Sequence, residues 1–530
     1  MRNSRLAAVF GVALLLYALL GSSDYLMVDG AVRSLEIMRH PGLFFHGNNH
    51  LLYPVYVLGW TRLLGAFGAG LRTPSAFIGA VQLMNALAAA VTVTALCWLI
   101  VRAAGSWTLG IAGAAAFALS RAMLLHATNG AEPVTGLMWS AVAAVAVVRG
   151  VDRRSALLAA AGGACLALAM ASYQSMVLIG PGLVLYVWLA TPREARATSL
   201  ASVLGAAAIT TAAVYGWAYA HEGITAPGAM VARFVRLDGA PQVYGGLRLT
   251  KLASLPLGLA YALVPTLPVG YPGFQGVLHG ELSTAKVAWV ALTEGLGLAV
   301  AMALAYHAWL AYRGAARPAR VAWVAGALAL LGTLLPALAW DTLYEKLWLQ
   351  PIALVALGTC GVLAIPASAA RRAWAVVAAA AAIGAAVNVG LAVRARVAPP
   401  SCRAQADAVS RTLTPADLLV HEWDPVSFEF DVVHGTDRRT FDLVGVARDR
   451  AAAAAQDLDS ARRATFARGG AVFYLGVFDL SRERWDAFLG SRAGLSYEAL
   501  ASERARARLV ETYQCRAARV TLWREMRPAS

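Results

Sequence analysis

The stretch LAAVFGVALLLYALLGSSDYLMVDG, residues 6–30, decides how the chain is read. An unbroken apolar run reaches Gly21, and two carboxylates, Asp24 and Asp29, follow it at once. Arg2 and Arg5 precede the run and no small-residue cleavage site follows it. It therefore reads as an uncleaved signal anchor with a cytoplasmic N-terminus. The aspartates then stand at a membrane exit, and HPGLFFHGNNHLLYP, residues 40–54, comes next.

Composition supports a membrane setting. Of 530 residues, 59% are apolar and only 14% charged, and the mean hydropathy is +0.59. A soluble chain cannot bury that much apolar surface, so a polytopic, all-α membrane bundle is expected. A helical span needs about 20 apolar residues. Candidate spans are 6–21, 76–101, 106–120, 134–148, 155–171, 175–190, 199–220, 287–312, 321–340, 347–366 and 373–395. That makes about 11 crossings, and Arg102, Arg149, Arg153, Arg154, Arg193, Arg196, Arg313, Arg317, Arg320, Arg371 and Arg372 fall in the loops that face inward. The net charge of +15 is thereby explained by topology rather than by nucleic-acid binding. Abundant Ala and Arg with only Lys251, Lys286 and Lys346 fit a GC-rich bacterial genome and an inner-membrane location.

Two further apolar stretches, 51–67 and 252–268, would invert the basic loops if either crossed alone. They read as helices lying in the outer interface. From about residue 397 the composition changes. RVAPPSCRAQ (396–405) is a Pro-bearing linker, followed by strand-like DLLVHEW (417–423), AVFYLGVF (471–478) and ARVTLW (518–523) with charged helical runs between them. The expected architecture is a membrane domain over 1–396, with outer loops 22–75, 121–133 and 221–286, and a small extracytoplasmic α/β domain over 397–530. Cys402 and Cys515 flank that region, either as a disulfide or as two thiols.

The polar residues that need explaining gather at the outer helix ends. The first loop holds Asp24, Asp29, His50 and Tyr53. SRAMLLHATNGAEPV (120–134) holds Arg121, His126, Asn129 and Glu132. ASYQS (171–175) holds Tyr173 and Gln174, and WDTLYEKLWLQP (340–351) holds Tyr344 and Lys346. Carboxylates and amides at that depth can hold a sugar, while Arg and Lys can hold a phosphate whose lipid tail stays in the bilayer. A carboxylate can take the proton of an attacking hydroxyl. No Gly-rich phosphate loop is present, as expected if the sugar arrives on a lipid. The sequence demands no cofactor. A divalent cation between two carboxylates is left open, and His421, Glu422, Asp424 and His434 carry no recognised ligand spacing.

An acidic pair after the first span, followed by a helix opened by HLLYP (50–54), resembles the GT-C-fold integral membrane glycosyltransferases, among them the protein O-mannosyltransferases and the lipid A aminoarabinose transferases. SRAMLLHATNGAEP is similar to the second outer acidic motif of that class, and YEKLWLQP (344–351) to its late motif near the donor phosphate. The resemblance covers roughly residues 1–370. It implies a GT-C-like fold, a polyprenyl-phosphate sugar donor and hexosyl or pentosyl transfer to a glycan, lipid or protein acceptor on the extracytoplasmic face. It also implies a first-loop aspartate as base. Asp24 takes that role by position, with Asp29 as competitor, and Glu132 is the second carboxylate. His50, Tyr53, His126, Asn129, Tyr173, Gln174 and Tyr344 become substrate contacts, with Lys346 and Arg121 on the phosphate.

Plainer readings stand beside these. His50 could cap its helix, Glu132 before Pro133 could mark a helix start, and Arg121 could reach to the membrane surface. Two other functions compete: a ligase moving a preassembled glycan from a lipid carrier, and a lipid or solute transporter. A transporter should carry polar positions deep within several spans, whereas here most are Ala, Leu, Val and Gly.

Overall fold

The computed structural model describes residues 2–21, 34, 35, 37, 38, 50–235, 251, 252, 254–264, 288, 291, 292, 295, 302, 306, 309, 313, 317–339, 344–363, 382–394, 396, 402–422, 424–435, 438–443, 454–485, 496–515 and 518–526. Its chain divides into two compact units. The first comprises Met1–Gly21, Phe44–Val57 and Gln82–Arg394, and the second Ser22–Leu43, Leu58–Val81 and Ala395–Ser530.

The first unit is helical. Its elements include Arg2–Leu19, Trp107–Ala118, Arg121–Thr128, Pro133–Arg153, Ala156–Ser172, Gly180–Ala190, Arg193–His221, Leu255–Leu263, Arg317–Ala339 and Leu349–Leu363. Among the described residues four helices are long and apolar enough to cross a membrane: Pro74–Ala104, Pro133–Arg153, Arg193–His221 and Arg320–Ala339. The bent pair Trp107–Ala118 and Arg121–Thr128 adds a fifth if it counts as one span. The chain is a multi-pass membrane protein. Shorter apolar helices at Asn3–Leu19, Ala156–Ser172, Gln174–Ala190 and Ala382–Arg394 lie on other expected runs. Most of the run 287–312 lies outside the described residues.

Local chemistry sets the helix ends. Ser106, Ser120 and Ser155 each accept from a backbone N–H three residues on, which satisfies donors that the first turn leaves open. Pro133 supplies a pre-set φ at the start of its helix. The run 106–120 forms the helix Trp107–Ala118, and the stretch from Arg121, expected as an outer loop, begins a second helix bent by 64° from the first. Ser120 explains the break: its hydroxyl donates to the Phe117 carbonyl (2.7 Å) and accepts from Met123 N–H (3.3 Å). It closes one helix and opens the next. Small residues bring helices close, as is common where lipid removes the hydrophobic drive for association. At Gly163 a Cβ would lie 2.0 Å from the Val203 carbonyl oxygen, so that contact requires glycine.

In the second unit a five-stranded sheet has the order β2-β1-β3-β5-β4. The strands are β1 Leu418–His421, β2 Arg439–Asp442, β3 Val472–Leu475, β4 Ala507–Cys515 and β5 Ala518–Glu525. β1 runs parallel to β2 and β3, while β5 is antiparallel to β3 and β4. Side chains alternate between two cores. Leu418, Val420, Val472 and Tyr474 join Trp485 on one face, and Leu419, Phe473 and Leu475 join Val426 and Phe430 on the other. Burial on both faces gives β1 and β3 continuous apolar character, which is why DLLVHEW and AVFYLGVF are legible as strands. β2 (RTFD) and β4 (ARLVETYQC) carry charges and were not expected; most of β4 is exposed.

Cys402 and Cys515 form a disulfide, with Cα atoms 5.5 Å apart across a sequence separation of 113. Both lie in the Val426–Phe430 core. Closing so long a loop constrains the unfolded chain, so Cys515→Ser should destabilise this unit by about 2–5 kcal/mol. Thermal unfolding with and without reductant checks this: reductant should lower the transition of the parent protein and leave that of Cys515→Ser unchanged.

Candidate active site

The helix breaks of the first unit carry the residues that the sequence singled out. The first break, at Leu119–Ser120, places Arg121 at the start of the 121–128 helix. The Arg121 guanidinium lies 4.6 Å from the ring centroid of Tyr261 and donates to its hydroxyl at 3.0 Å. The carbonyl freed at Leu119 accepts from Asn388 Nδ2 (2.8 Å), which also donates to Leu263 at the end of the Tyr261 helix (2.7 Å). One amide therefore ties together the two helix ends nearest the Arg121–Tyr261 pair.

The second break is the turn after Thr128. Gly130 sits at φ +73°, a left-handed conformation that favours glycine. The three carbonyls that follow each find a donor from outside the turn. Gly130 accepts from the Tyr53 hydroxyl, Ala131 from Asn85 Nδ2 at 2.7 Å, and Glu132 from Thr135 Oγ1 at 2.9 Å. These bonds fix the backbone that carries Glu132, whose side chain is 1% exposed. That carboxylate makes no capping bond, though it precedes the helix beginning at Pro133. Asn129 and His126 are buried next to it in sequence. Asn129 Nδ2 covers the Leu125 carbonyl (2.7 Å), while Asn129 Oδ1 has no hydrogen-bond partner among the described residues.

The third break separates the 156–172 helix from a 3-10 turn at Gln174–Ile179. Tyr173 occupies it. Its ring lies 5.1 Å from that of His50, and Lys346 Nζ is 5.9 Å from its centroid. Lys346 is closer still to Tyr344, at 4.4 Å. A backbone bond from Leu52 N–H to the Ala171 carbonyl (3.0 Å) aligns the His50 segment with this break. Gln174 is half-buried and makes no side-chain hydrogen bond among the described residues. Below it, Gln350 Nε2 and Ser140 Oγ both donate to the Met176 carbonyl, each at 2.9 Å.

The 121–128 helix, the 255–263 helix and the turn Glu345–Trp348 pack against one another. The structure thus brings the Arg121–Tyr261 and Lys346–Tyr344 pairs onto adjoining elements, and joins Lys346 through Tyr173 to His50. Asp24 and Asp29 lie outside the described residues. Tyr53 is placed as a fully buried clamp on the turn. Asn85, Tyr261 and Asn388 were missed in the sequence, although an amide inside an apolar run such as AVQLMNALAAA (80–90) is itself a signal. Among the described residues no group of three or more His, Cys, Asp or Glu is arranged to hold a metal ion.

No family model matches the chain, and no curated protein matches it. Solved structures do. ArnT from Cupriavidus metallidurans bound to undecaprenyl phosphate superposes with a TM-score of 0.54 at 12% identity, over 99% of this chain and 98% of that one. The apo oligosaccharyltransferase of Archaeoglobus fulgidus gives 0.50 at 11%, over 95% of this chain and 73% of that one. The same enzyme tethered with an acceptor peptide containing the NVT sequon gives 0.50 at 12%, over 96% and 73%. The likeness assigns the fold. This chain has the GT-C fold of integral membrane glycosyltransferases, as the sequence resemblance implied.

The turn clamp has a direct test. Tyr53→Phe and Asn85→Leu each strand a buried carbonyl and should cost about 1–3 kcal/mol. Thermal unfolding in detergent should show both losses, while Gln174→Ala, which removes no such bond, should stay within about 0.5 kcal/mol of the parent protein.

Proposed function

We propose that the chain is a membrane glycosyltransferase that moves a hexosyl or pentosyl unit from a polyprenyl-phosphate donor to a glycan, lipid or protein acceptor on the extracytoplasmic face. The observation that carries this reading is the pair of aromatic-backed cations, Arg121 over Tyr261 and Lys346 over Tyr344, on adjoining elements of a GT-C bundle. The solved structure most relevant to it is ArnT bound to undecaprenyl phosphate. In this reading about 11 helices cross the membrane, residues 1–396 form the catalytic domain, and residues 397–530 lie outside the cytoplasm. The Cys402–Cys515 disulfide supports that side, because disulfides persist in oxidising compartments.

The reaction follows from the groups. Asp24 or Asp29 takes the proton of the acceptor hydroxyl as its oxygen bonds to the anomeric carbon. The bond from that carbon to the phosphate oxygen breaks, and polyprenyl phosphate leaves with the electron pair. Arg121 and Lys346 hold the phosphate and stabilise the charge that develops on it. Their aromatic neighbours fix the direction in which both cations point. Glu132 is the second carboxylate, held by its clamped turn. His50, Tyr173, Gln174, Tyr344, His126 and Asn129 contact substrate, and Tyr53 serves it by holding the turn. The open acceptor at Asn129 Oδ1 is of the kind that a sugar hydroxyl satisfies. If a divalent cation takes part, it adds charge stabilisation that this chain's described residues do not by themselves specify.

Two measurements test the assignment. Asp24→Asn and Asp29→Asn should reduce transfer unequally, the base variant by about 10²–10⁴-fold, with unchanged amounts of inserted protein. Full activity in both variants contradicts a first-loop base. Lys346→Ala should weaken donor binding by about 10–100-fold, as loss of a charged hydrogen bond of about 1.5–3 kcal/mol requires. Unchanged donor affinity rules out its phosphate role.

A further inference from the structure

The second unit joins the C-terminal sheet to two segments near the start of the chain, Ser22–Leu43 and Leu58–Val81. The helix Pro425–His434 shows why. Every residue from Val426 to Val432 is buried, whereas a helix with one face in water would show exposed positions every turn. Its apolar residues divide by spacing. Val426 and Phe430, four apart, face the sheet with Leu419, Phe473 and Leu475. Phe428 and Val432, also four apart, form a separate cluster with Leu35 and Ile78, and Val433 packs at its margin. The helix is therefore a middle layer. One side completes the sheet, and the other is covered by residues from the first 81 positions of the chain.

The covered side is significant because of where Leu35 stands in the sequence. Residues 34, 35, 37 and 38 are helical, and Ser34, Leu35 and Ile37 are buried. Leu35 lies six residues after Asp29 on the segment that also bears Asp24. That segment is short and leaves the first span directly, so an apolar anchor just beyond its carboxylates limits where they can go.

We propose that the C-terminal domain is a working part of the transferase: its 425–434 helix is the platform that fixes the first-loop segment, with Phe428 and Val432 as positioning residues. The catalytic half of this inference rests on the proposed function; the docking does not. A freestanding module that only recruits acceptor would leave the outer face of that helix in water. A platform should affect the transfer step itself and leave donor binding alone, since Phe428 and Val432 pack on the first-loop segment through Leu35 and on Ile78.

The experiment uses the full chain in native membranes. Ser34→Cys serves as a reporter, with Cys97, Cys165 and Cys360 changed to Ala and the Cys402–Cys515 disulfide kept. A water-soluble maleimide should label Ser34→Cys slowly. Adding Val432→Asp, or the milder Phe428→Ala with Val432→Ala, should speed labelling at least tenfold while the disulfide still forms. In the same variants kcat should fall at least tenfold, with the donor KM within twofold of the parent value. Equal labelling with and without the added substitutions overturns the docking. Released labelling with kcat intact overturns the positioning role. Release of the reporter by the added substitutions, together with a parent protein that performs no transfer, overturns the transferase reading and the catalytic half of the proposal, and leaves the docking standing.

Discussion

A carbonyl released by a helix break inside an apolar bundle must find a donor, because lipid offers none. That requirement organises the first unit. At Leu119 the donor is Asn388; at Gly130, Ala131 and Glu132 the donors are Tyr53, Asn85 and Thr135; at Met176 they are Ser140 and Gln350. Each donor is a side chain from another segment, apart from Thr135. The polar residues buried in this bundle are thus the terms on which its helices can be interrupted, and the interruptions are where Arg121, Glu132 and Tyr173 become available.

The arrangement also separates two kinds of polar residue. Asn85, Asn388 and Gln350 spend their donors on backbone and stiffen the breaks. Arg121 and Lys346 lie against the aromatic faces of Tyr261 and Tyr344. In the proposed reading, the edges of these breaks meet a lipid-borne phosphate whose tail fixes the depth of its head. In the second unit apolar packing plays the comparable part. The 425–434 helix is buried on two faces and carries apolar order from the sheet to the first-loop segment.

Much of this was legible in the sequence. Runs such as SLASVLGAAAITTAAVYGWAYA (199–220) announce helices because apolar length is the dominant cost term in a membrane, and the structure places a helix at Arg193–His221. Clusters around Arg121, Glu132, Tyr173 and Lys346 were visible because polar groups at span ends stand out against Ala and Leu. The short helix Arg121–Thr128 that Ser120 caps was not, since the polar stretch SRAMLLHATNGAEPV (120–134) reads as a loop. Asn85 and Asn388 escaped for a related reason: their partners are backbone carbonyls 46 and 269 residues away, and backbone groups leave no mark in a sequence. β4 was hidden because an edge strand facing water alternates weakly and reads as a charged loop. The packing of Leu35 and Ile78 on Phe428 joins segments with no shared pattern, so only the fold could reveal it.

The central claim is that Arg121 and Lys346 form a seat for the phosphate of an isoprenoid carrier. The most direct measurement is an experimental density map of the protein saturated with undecaprenyl phosphate. The account predicts phosphate oxygens within about 3 Å of the Arg121 guanidinium or the Lys346 ammonium, with the tail running along the bundle. A phosphate ordered elsewhere, with both cations still stacked on their tyrosines and distant from it, would contradict the account.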